Sequence, residues 1–242
     1  MTYHKLKKKR NNRIKSIVSS ILILLFAIIS SVVLISEKRK LRPYDERVFY
    51  FVSAGSSRTI SLLEDKKELL KNLGGANVVY TYKGQSHLIA SVYLDQESAD
   101  EIKSNFVEYF PEVGVLKIKS KRVSTKGIKV IKEISGAEEF IKNLYKISTD
   151  FQELQMKYLS GEFSESDFLS DMVEKKIKFE KLLSNVEANN ELAEKIISFG
   201  EIMSLQMTSF LSGLTISKNK QNFVCNYFVG FYLNYVELFD CL

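Results

Sequence analysis

The chain has 242 residues, of which 45% are hydrophobic and 26% are charged, and its formal net charge is +6 at pH 7. The charge is uneven, because residues 1–43 hold eleven Lys and Arg and one acid, whereas residues 136–242 hold sixteen acids and ten Lys. A basic excess beside an apolar run suits anionic lipid headgroups, so the composition argues against a nucleic-acid partner. The only cysteines, Cys225 and Cys241, exclude a disulfide framework and a C-x-x-C metal site.

Residues 16–36 form an uncharged run, SIVSSILILLFAIISSVVLIS. As a helix this run would be about 30 Å long, the thickness of the hydrocarbon core of a bilayer. We predict a single transmembrane helix there, between a basic stub (1–15) and a linker (37–46). The stub carries the larger excess of Lys and Arg, so we expect the N-terminus in the cytoplasm and the body outside the bacterial cytoplasmic membrane. A cleaved signal peptide is the alternative, although the run is longer than a usual signal core.

The pattern of residues 47–119 predicts a compact β-α-β-β-α-β domain. Runs rich in aromatic and β-branched residues predict four strands, at 47–54, 77–82, 87–93 and 113–118. Apolar residues at helical spacing predict two helices, at 59–73 and 95–109. This order is the split βαβ, ferredoxin-like plan, in which two helices cover one face of an antiparallel sheet. The other face of the sheet should then be open.

Helical patterns replace strand patterns after a basic linker at residues 120–135, in which Gly127–Ile131 could add an edge strand. Heptad-like spacing of apolar residues predicts an all-α bundle over residues 136–242. The first of its four helices ends near Tyr158, and the other three lie at about 165–185, 190–214 and 218–242. The predicted fold class is therefore α+β, with a transmembrane helix, a βαββαβ domain and a helical bundle.

The last helix is apolar on nearly all sides. Aromatic residues recur every four positions along it: Phe223, Tyr227, Phe231, Tyr235 and Phe239. One interpretation is that these rings fill the core of the bundle. The alternative is that they form a surface for a protein partner or for self-association. A second membrane span is disfavoured, because Asn and acidic residues interrupt the run.

Three segments of residues 47–119 carry a resemblance to the SPOR (sporulation-related repeat) domain family. They are Phe51-Val52-Ser53-Ala54-Gly55-Ser56, Leu73-Gly74-Gly75, and His87–Tyr93 followed by Asp95–Ala99. The resemblance implies a non-enzymatic module that binds peptidoglycan, specifically glycan strands stripped of their stem peptides, at division or sporulation septa. It also implies that the open face of the sheet makes the contact.

Period-two alternation places most of the candidate side chains on that open face, and Ser56 belongs to the segment that carries the resemblance. The candidate glycan-binding residues are Phe49, Phe51, Ser53, Ser56, Tyr80, Tyr82, His87, Ile89 and Ser91. A saccharide needs flat aromatic surface and hydrogen-bonding side chains, and this set holds both. The apolar members favour the alternative function, a structural or assembly protein whose α/β domain binds itself or another protein in an envelope or sporulation complex.

We expect no catalysis, no cofactor and no metal. His4 and His87 are the only histidines, and His4 lies in the predicted cytoplasmic stub. No G-x-S-x-G, H-E-x-x-H or glycine-rich phosphate loop occurs in the sequence. Gly74-Gly75 is explained by the end of a helix.

Overall fold

Four strands and seven helices follow one another in residues 43–242, the part of the chain that the computed structural model describes. The strands are β1 (Val48–Ser57), β2 (Val78–Tyr82), β3 (Gln85–Tyr93) and β4 (Gly114–Lys119). The helices are α1 (Ser61–Asn72), α2 (Gln96–Ser104), α3 (Thr125–Glu133), α4 (Ala137–Leu159), α5 (Glu165–Leu183), α6 (Glu191–Leu214) and α7 (Lys220–Cys241).

The strands form one sheet in the order β2-β3-β1-β4, and every neighbouring pair is antiparallel. A two-residue turn joins β2 to β3, and both of its residues have positive φ, 52° at Lys83 and 76° at Gly84. Turns of this kind match the twist of the strands that they connect. β2 and β4 are the two edges of the sheet.

Both faces of the sheet are covered by helices. Val52 and Ala54 of β1 pack in a core with residues of α1 and α2. Phe49 and Phe51, which alternate with them, pack in a second core that extends through α4 to α7. The ring of Phe49 lies 5.3 Å from that of Tyr232 and 5.4 Å from that of Tyr235, both on α7. The sheet is therefore an internal layer.

Helices α4 to α7 pack in a closed arrangement beside the sheet. α4 contacts α5, α5 contacts α6, α6 contacts α7, and α7 contacts α4 as well as β2 and β3. Short connections make sequential helices neighbours, as in a bundle. Because α7 lies between the sheet and the other helices, it has apolar neighbours on nearly all sides.

A buried arginine links β1 to α4. Arg47 is 5% exposed, and its guanidinium donates to the carbonyl of Tyr145 at 3.0 Å, to Thr149 Oγ1 at 2.8 Å and to Ser148 Oγ. The same group lies 4.4 Å from the centre of the Tyr145 ring. A buried cation usually needs a carboxylate as its partner. Here two hydroxyl groups, a backbone carbonyl and the face of an aromatic ring take its place.

The structure corrects the predicted fold class. Residues 43–242 form one α+β unit, not a βαββαβ domain (47–119) joined to a separate bundle (136–242). The physical reason is that the second face of the sheet is apolar, and helices of the same chain bury it. No helix in this part of the chain combines the length and the hydropathy that crossing a membrane requires. The predicted span (16–36) and stub (1–15) lie outside the described residues.

The predicted basic linker, residues 120–135, contains the helix α3 and no edge strand. Ser124 caps this helix, since its Oγ accepts a hydrogen bond from the backbone N–H of Gly127 at 3.0 Å. Ile131 is fully buried in the second core, which holds the helix in place. An amphipathic helix with one buried side thus replaces the predicted irregular segment.

We predict that Arg47→Ala lowers the free energy of unfolding of residues 43–242 by about 2–4 kcal/mol, because it leaves a cavity and removes charge-assisted hydrogen bonds. Arg58→Ala is the control, since Arg58 is exposed and its loss should cost within about 0.5 kcal/mol. Equilibrium unfolding in urea measures both changes. Equal losses in the two variants would contradict the role of Arg47.

Candidate functional site

The predicted open face of the sheet is mostly closed. Phe49, Phe51 and Ile89 are fully buried, and they belong to the core that α7 shares with the sheet. A glycan cannot reach these three side chains while α7 lies on them. The prediction that these three side chains lie on an open face is therefore wrong.

Ser91 lies on the opposite face from the one predicted. Val52 pairs with Ser91 and Ser53 pairs with Ile89, so Ala90 is an extra residue without a partner in β1. Such a bulge reverses the alternation beyond it. Ser91 is consequently opposite Val52, on the side of α1 and α2, and only 2% exposed. Its hydroxyl is not available to a ligand on the predicted face.

Five of the predicted residues remain together near the β2–β3 turn. Tyr80 and Tyr82 are half-buried, and their rings are stacked at 6.5 Å with an angle of 21° between the ring planes. His87 pairs with Tyr80 on one side and with Ser56 on the other. Ser53 Oγ lies 3.5 Å from His87 Nδ1. We call this group, Ser53, Ser56, Tyr80, Tyr82 and His87, the tyrosine platform.

Polar neighbours complete the tyrosine platform. Gln85 Nε2 donates to Ser56 Oγ at 2.8 Å, and Lys83 Nζ lies 5.1 Å from the centre of the Tyr82 ring. Burial, followed by the negative charges of Glu237 and Asp240, raises the pKa of Tyr80 above its ordinary value. The exposed acids at the end of α7 thus lie near the aromatic rings.

His87 is half-buried, and this burial lowers its pKa below the ordinary value for histidine. The ring is therefore neutral at pH 7, with one nitrogen that donates and one that accepts. Neutral imidazole, serine hydroxyl and tyrosine hydroxyl groups can each exchange hydrogen bonds with an uncharged polar ligand. The platform offers flat aromatic surface next to these groups.

The aromatic residues proposed for a partner interface are core residues of α7. Tyr227, Phe231, Tyr235 and Phe239 are buried, and Phe223 is half-buried. Phe231 packs against Phe151 of α4 at 4.8 Å between ring centres. Of the two interpretations drawn from the sequence, the core is the one that the structure supports, because α7 has the sheet on one side and helices on the other.

Asparagines at the start of α7 attach it to the α/β part of the chain. Asn222 Nδ2 donates to the carbonyl of Gly75 at 2.6 Å, and Asn226 Oδ1 accepts from the backbone N–H of Asn77 at 3.0 Å. Asn219 Nδ2 donates to the carbonyl of Lys71 at 2.5 Å. In the sequence, the Asn residues of this helix argued only against a membrane span. A run of asparagines at helical spacing on an apolar helix is the signal that could have indicated this docking.

Two further cavities lie away from the tyrosine platform. One, of about 440 Å³, is an open apolar groove between α6 and α7, with Ile202, Leu205 and Tyr227 among its lining residues. The other, of about 230 Å³, lies between the ends of α1 and α2, with Ser91, Tyr93 and Cys225 at its walls. Among residues 43–242, no three His, Cys, Asp or Glu side chains are placed to hold a metal ion.

Comparisons with known proteins add no relatives: no protein-family model, no curated protein and no solved structure matches this chain.

We predict that Cys225 of the native protein does not react with Ellman's reagent, whereas Cys241 reacts at once. Cys225 lies on a buried side of α7 and is 5% exposed, and burial raises the pKa of its thiol to about 12, while Cys241 is exposed. The thiolate is the reactive form, so Cys225 should titrate only after unfolding. Cys241→Ser is the control and should leave no fast thiol. A fast second thiol in the folded protein would contradict the position of α7.

Proposed function

We propose that the chain is a non-catalytic binding protein of the bacterial envelope, held at the cytoplasmic membrane, and that residues 43–242 bind glycan strands of peptidoglycan at division or sporulation septa. The observation that carries the proposal is the tyrosine platform, where Tyr80 and Tyr82 stack beside polar side chains on one sheet face. The resemblance of residues 47–119 to SPOR domains agrees with it.

The chemistry of the platform suits a saccharide. A sugar ring presents a flat C–H face, which packs against an aromatic ring, and a rim of hydroxyl groups, which need donors and acceptors. Tyr80 and Tyr82 provide the flat surface, while His87 and Ser56 provide hydrogen-bonding groups. Ser53 is only 6% exposed and its hydroxyl donates to the carbonyl of Gly55 at 3.0 Å, so it lies beside His87 without facing a ligand. A few polar groups next to an apolar surface fix the orientation of a ligand.

The position of α7 limits the size of the contact. Because Phe49, Phe51 and Ile89 lie beneath this helix, only the end of the sheet near the β2–β3 turn is available. We therefore expect the platform to hold a short stretch of glycan, with weak affinity for each site. Several chains held at one membrane would engage neighbouring sites of one strand, and such linkage raises the overall affinity.

The test is pelleting of residues 43–242 with purified sacculi, before and after an amidase removes the stem peptides. We expect enrichment on the stripped sacculi. The Tyr80→Ala/Tyr82→Ala variant should lower the bound fraction at least about fivefold, since an aromatic contact contributes on the order of 1 kcal/mol. Tyr109→Ala is the matched control, because Tyr109 is exposed away from the platform. Thermal melting of each variant verifies that it is folded.

Two results would contradict glycan binding at the platform. One is equal pelleting with intact and stripped sacculi. The other is a double variant that is folded and still pellets like the unmodified protein.

A second candidate is that the α/β part binds a protein. Four large apolar side chains are exposed on α1 and in the segment after α2: Leu62, Leu69, Val107 and Tyr109. The two stretches adjoin, because Lys66, on the same stripe of α1 as Leu62 and Leu69, pairs with Glu112 at 3.4 Å. Residues 95–112 hold six acids and one Lys. The surface therefore fits a protein with an apolar centre and a basic rim.

The two candidates are separated by photo-crosslinking from position 62 in the intact bacterium. A protein partner should give one dominant adduct, which Tyr80→Ala/Tyr82→Ala leaves unchanged. Position 177 is the control, because Ile177 of α5 is also an exposed apolar residue. Equal adducts from both positions would rule out the second candidate, and an adduct between two copies of this chain would identify the partner as a second copy.

A further inference from the structure

Residues 114–132 form a local basic segment on an acidic body. They hold seven Lys and Arg and no acid, whereas residues 43–242 as a whole hold 24 Lys and Arg and 28 Asp and Glu, a formal net charge of −4. The basic character of this segment is therefore not part of a general excess. We call its seven exposed cations the basic strip: Lys117, Lys119, Lys121, Arg122, Lys126, Lys129 and Lys132.

Three of these cations interact with neighbouring acidic residues. Lys119 Nζ pairs with Glu46 at 2.7 Å, and Arg122 Nε pairs with Asp45 at 3.5 Å. Lys121 Nζ donates to the backbone carbonyl of Asp240 at 3.3 Å.

The other four cations, Lys117, Lys126, Lys129 and Lys132, make no ion pair within residues 43–242. Lys117 Nζ lies 5.5 Å from the centre of the Tyr50 ring, and Lys132 lies within electrostatic range of Glu138. All four side chains are exposed, so an anion that approaches them is attracted by their combined charge.

The geometry of α3 directs two of these cations away from the core. Ile131 is fully buried, and Ile128 is half-buried against the same core. Helical spacing places Lys126 and Lys129 next to each other on the opposite side. β4, which carries Lys117, is an edge strand of the sheet. The strip is therefore an outer surface made of one sheet edge and one helix.

The described chain begins beside this surface. The backbone N–H of Val123 donates to the carbonyl of Tyr44 at 3.0 Å, so residue 44 lies at the start of α3. The residues just before it include Lys38, Arg39, Lys40 and Arg42, and the uncharged run ends at Ser36. Residue 44 is eight residues beyond Ser36, and eight steps of chain reach about 29 Å at most. More cations and an apolar run thus precede the strip within a short length of chain.

We propose that the basic strip binds the headgroups of anionic phospholipids, so that this side of residues 43–242 lies against a membrane surface. Lysine side chains and lipid phosphates attract one another without a shaped pocket, and the contributions of several lysines add. The attraction falls with ionic strength, because salt screens exposed charges. The basic strip shares none of its residues with the tyrosine platform, although Asp240 lies near both, next to Lys121 and close to Tyr80. The proposal does not depend on glycan binding.

Residues 43–242 contain their own hydrophobic core, so this fragment is suitable for the test. Its sedimentation with vesicles is measured with phosphatidylcholine alone and with added phosphatidylglycerol, at low and high NaCl. We expect binding only to the anionic vesicles, and loss of binding at high salt. The Lys126→Gln/Lys129→Gln/Lys132→Gln variant should weaken it at least about tenfold.

The matched control is Lys178→Gln/Lys181→Gln/Lys218→Gln, which removes the same charge from exposed lysines outside the strip. It should bind vesicles like the unmodified fragment. Equal weakening in both variants, binding to phosphatidylcholine alone, or no binding to anionic vesicles would overturn the proposal. Binding of a soluble phosphodiester polymer in place of vesicles would also overturn it, since the ligand would then not be a lipid.

Discussion

The burial of one sheet face by α7 is the constraint on which the rest of the structure depends. A four-stranded sheet with Phe49, Phe51, Ile89 and Ile118 on one side must cover that side. α7 is apolar on nearly all sides, so it cannot lie at a surface and needs both the sheet and the other helices as neighbours. The apolar face of the sheet gives α7 a surface to pack against, and α7 covers that face. A two-domain division would expose both.

Polar contacts fix where α7 and α4 lie on the sheet. Asn222 and Asn226 bind the backbone next to β2, Arg47 binds the backbone and hydroxyls of α4, and Tyr232 donates to the carbonyl of Ser148 at 2.6 Å. Apolar packing alone allows helices to slide, whereas buried hydrogen bonds allow few positions because unpaired groups are costly. These contacts determine which part of the sheet face stays free, and hence where the tyrosine platform lies.

Local signals in the sequence predicted much of the fold. Alternation correctly placed Phe49 and Phe51 on one face of the sheet, and runs of aromatic and β-branched residues located all four strands to within a few residues. No feature of the sequence signals the bulge at Ala90, so alternation placed Ser91 on the wrong face.

Nothing local to Phe49 shows that a helix about 180 residues later covers it. The basic residues around α3 concealed Ile128 and Ile131, which make that segment a helix with a buried side. Glu237 and Asp240 near Tyr80 could not be found either, since only the tertiary fold brings them together.

Native-state hydrogen exchange of residues 43–242 tests most directly whether the sheet and α7 form one core. The slowest amides of β1, β3 and α7 should share one free energy of opening, equal to that of global unfolding, because none of these elements can separate without exposing the common core. Exchange of α7 at a clearly lower free energy, with β1 and β3 still protected, would contradict this account. It would mean that the helix leaves the sheet and that the whole face, from Phe49 to Ile89, can open to a ligand.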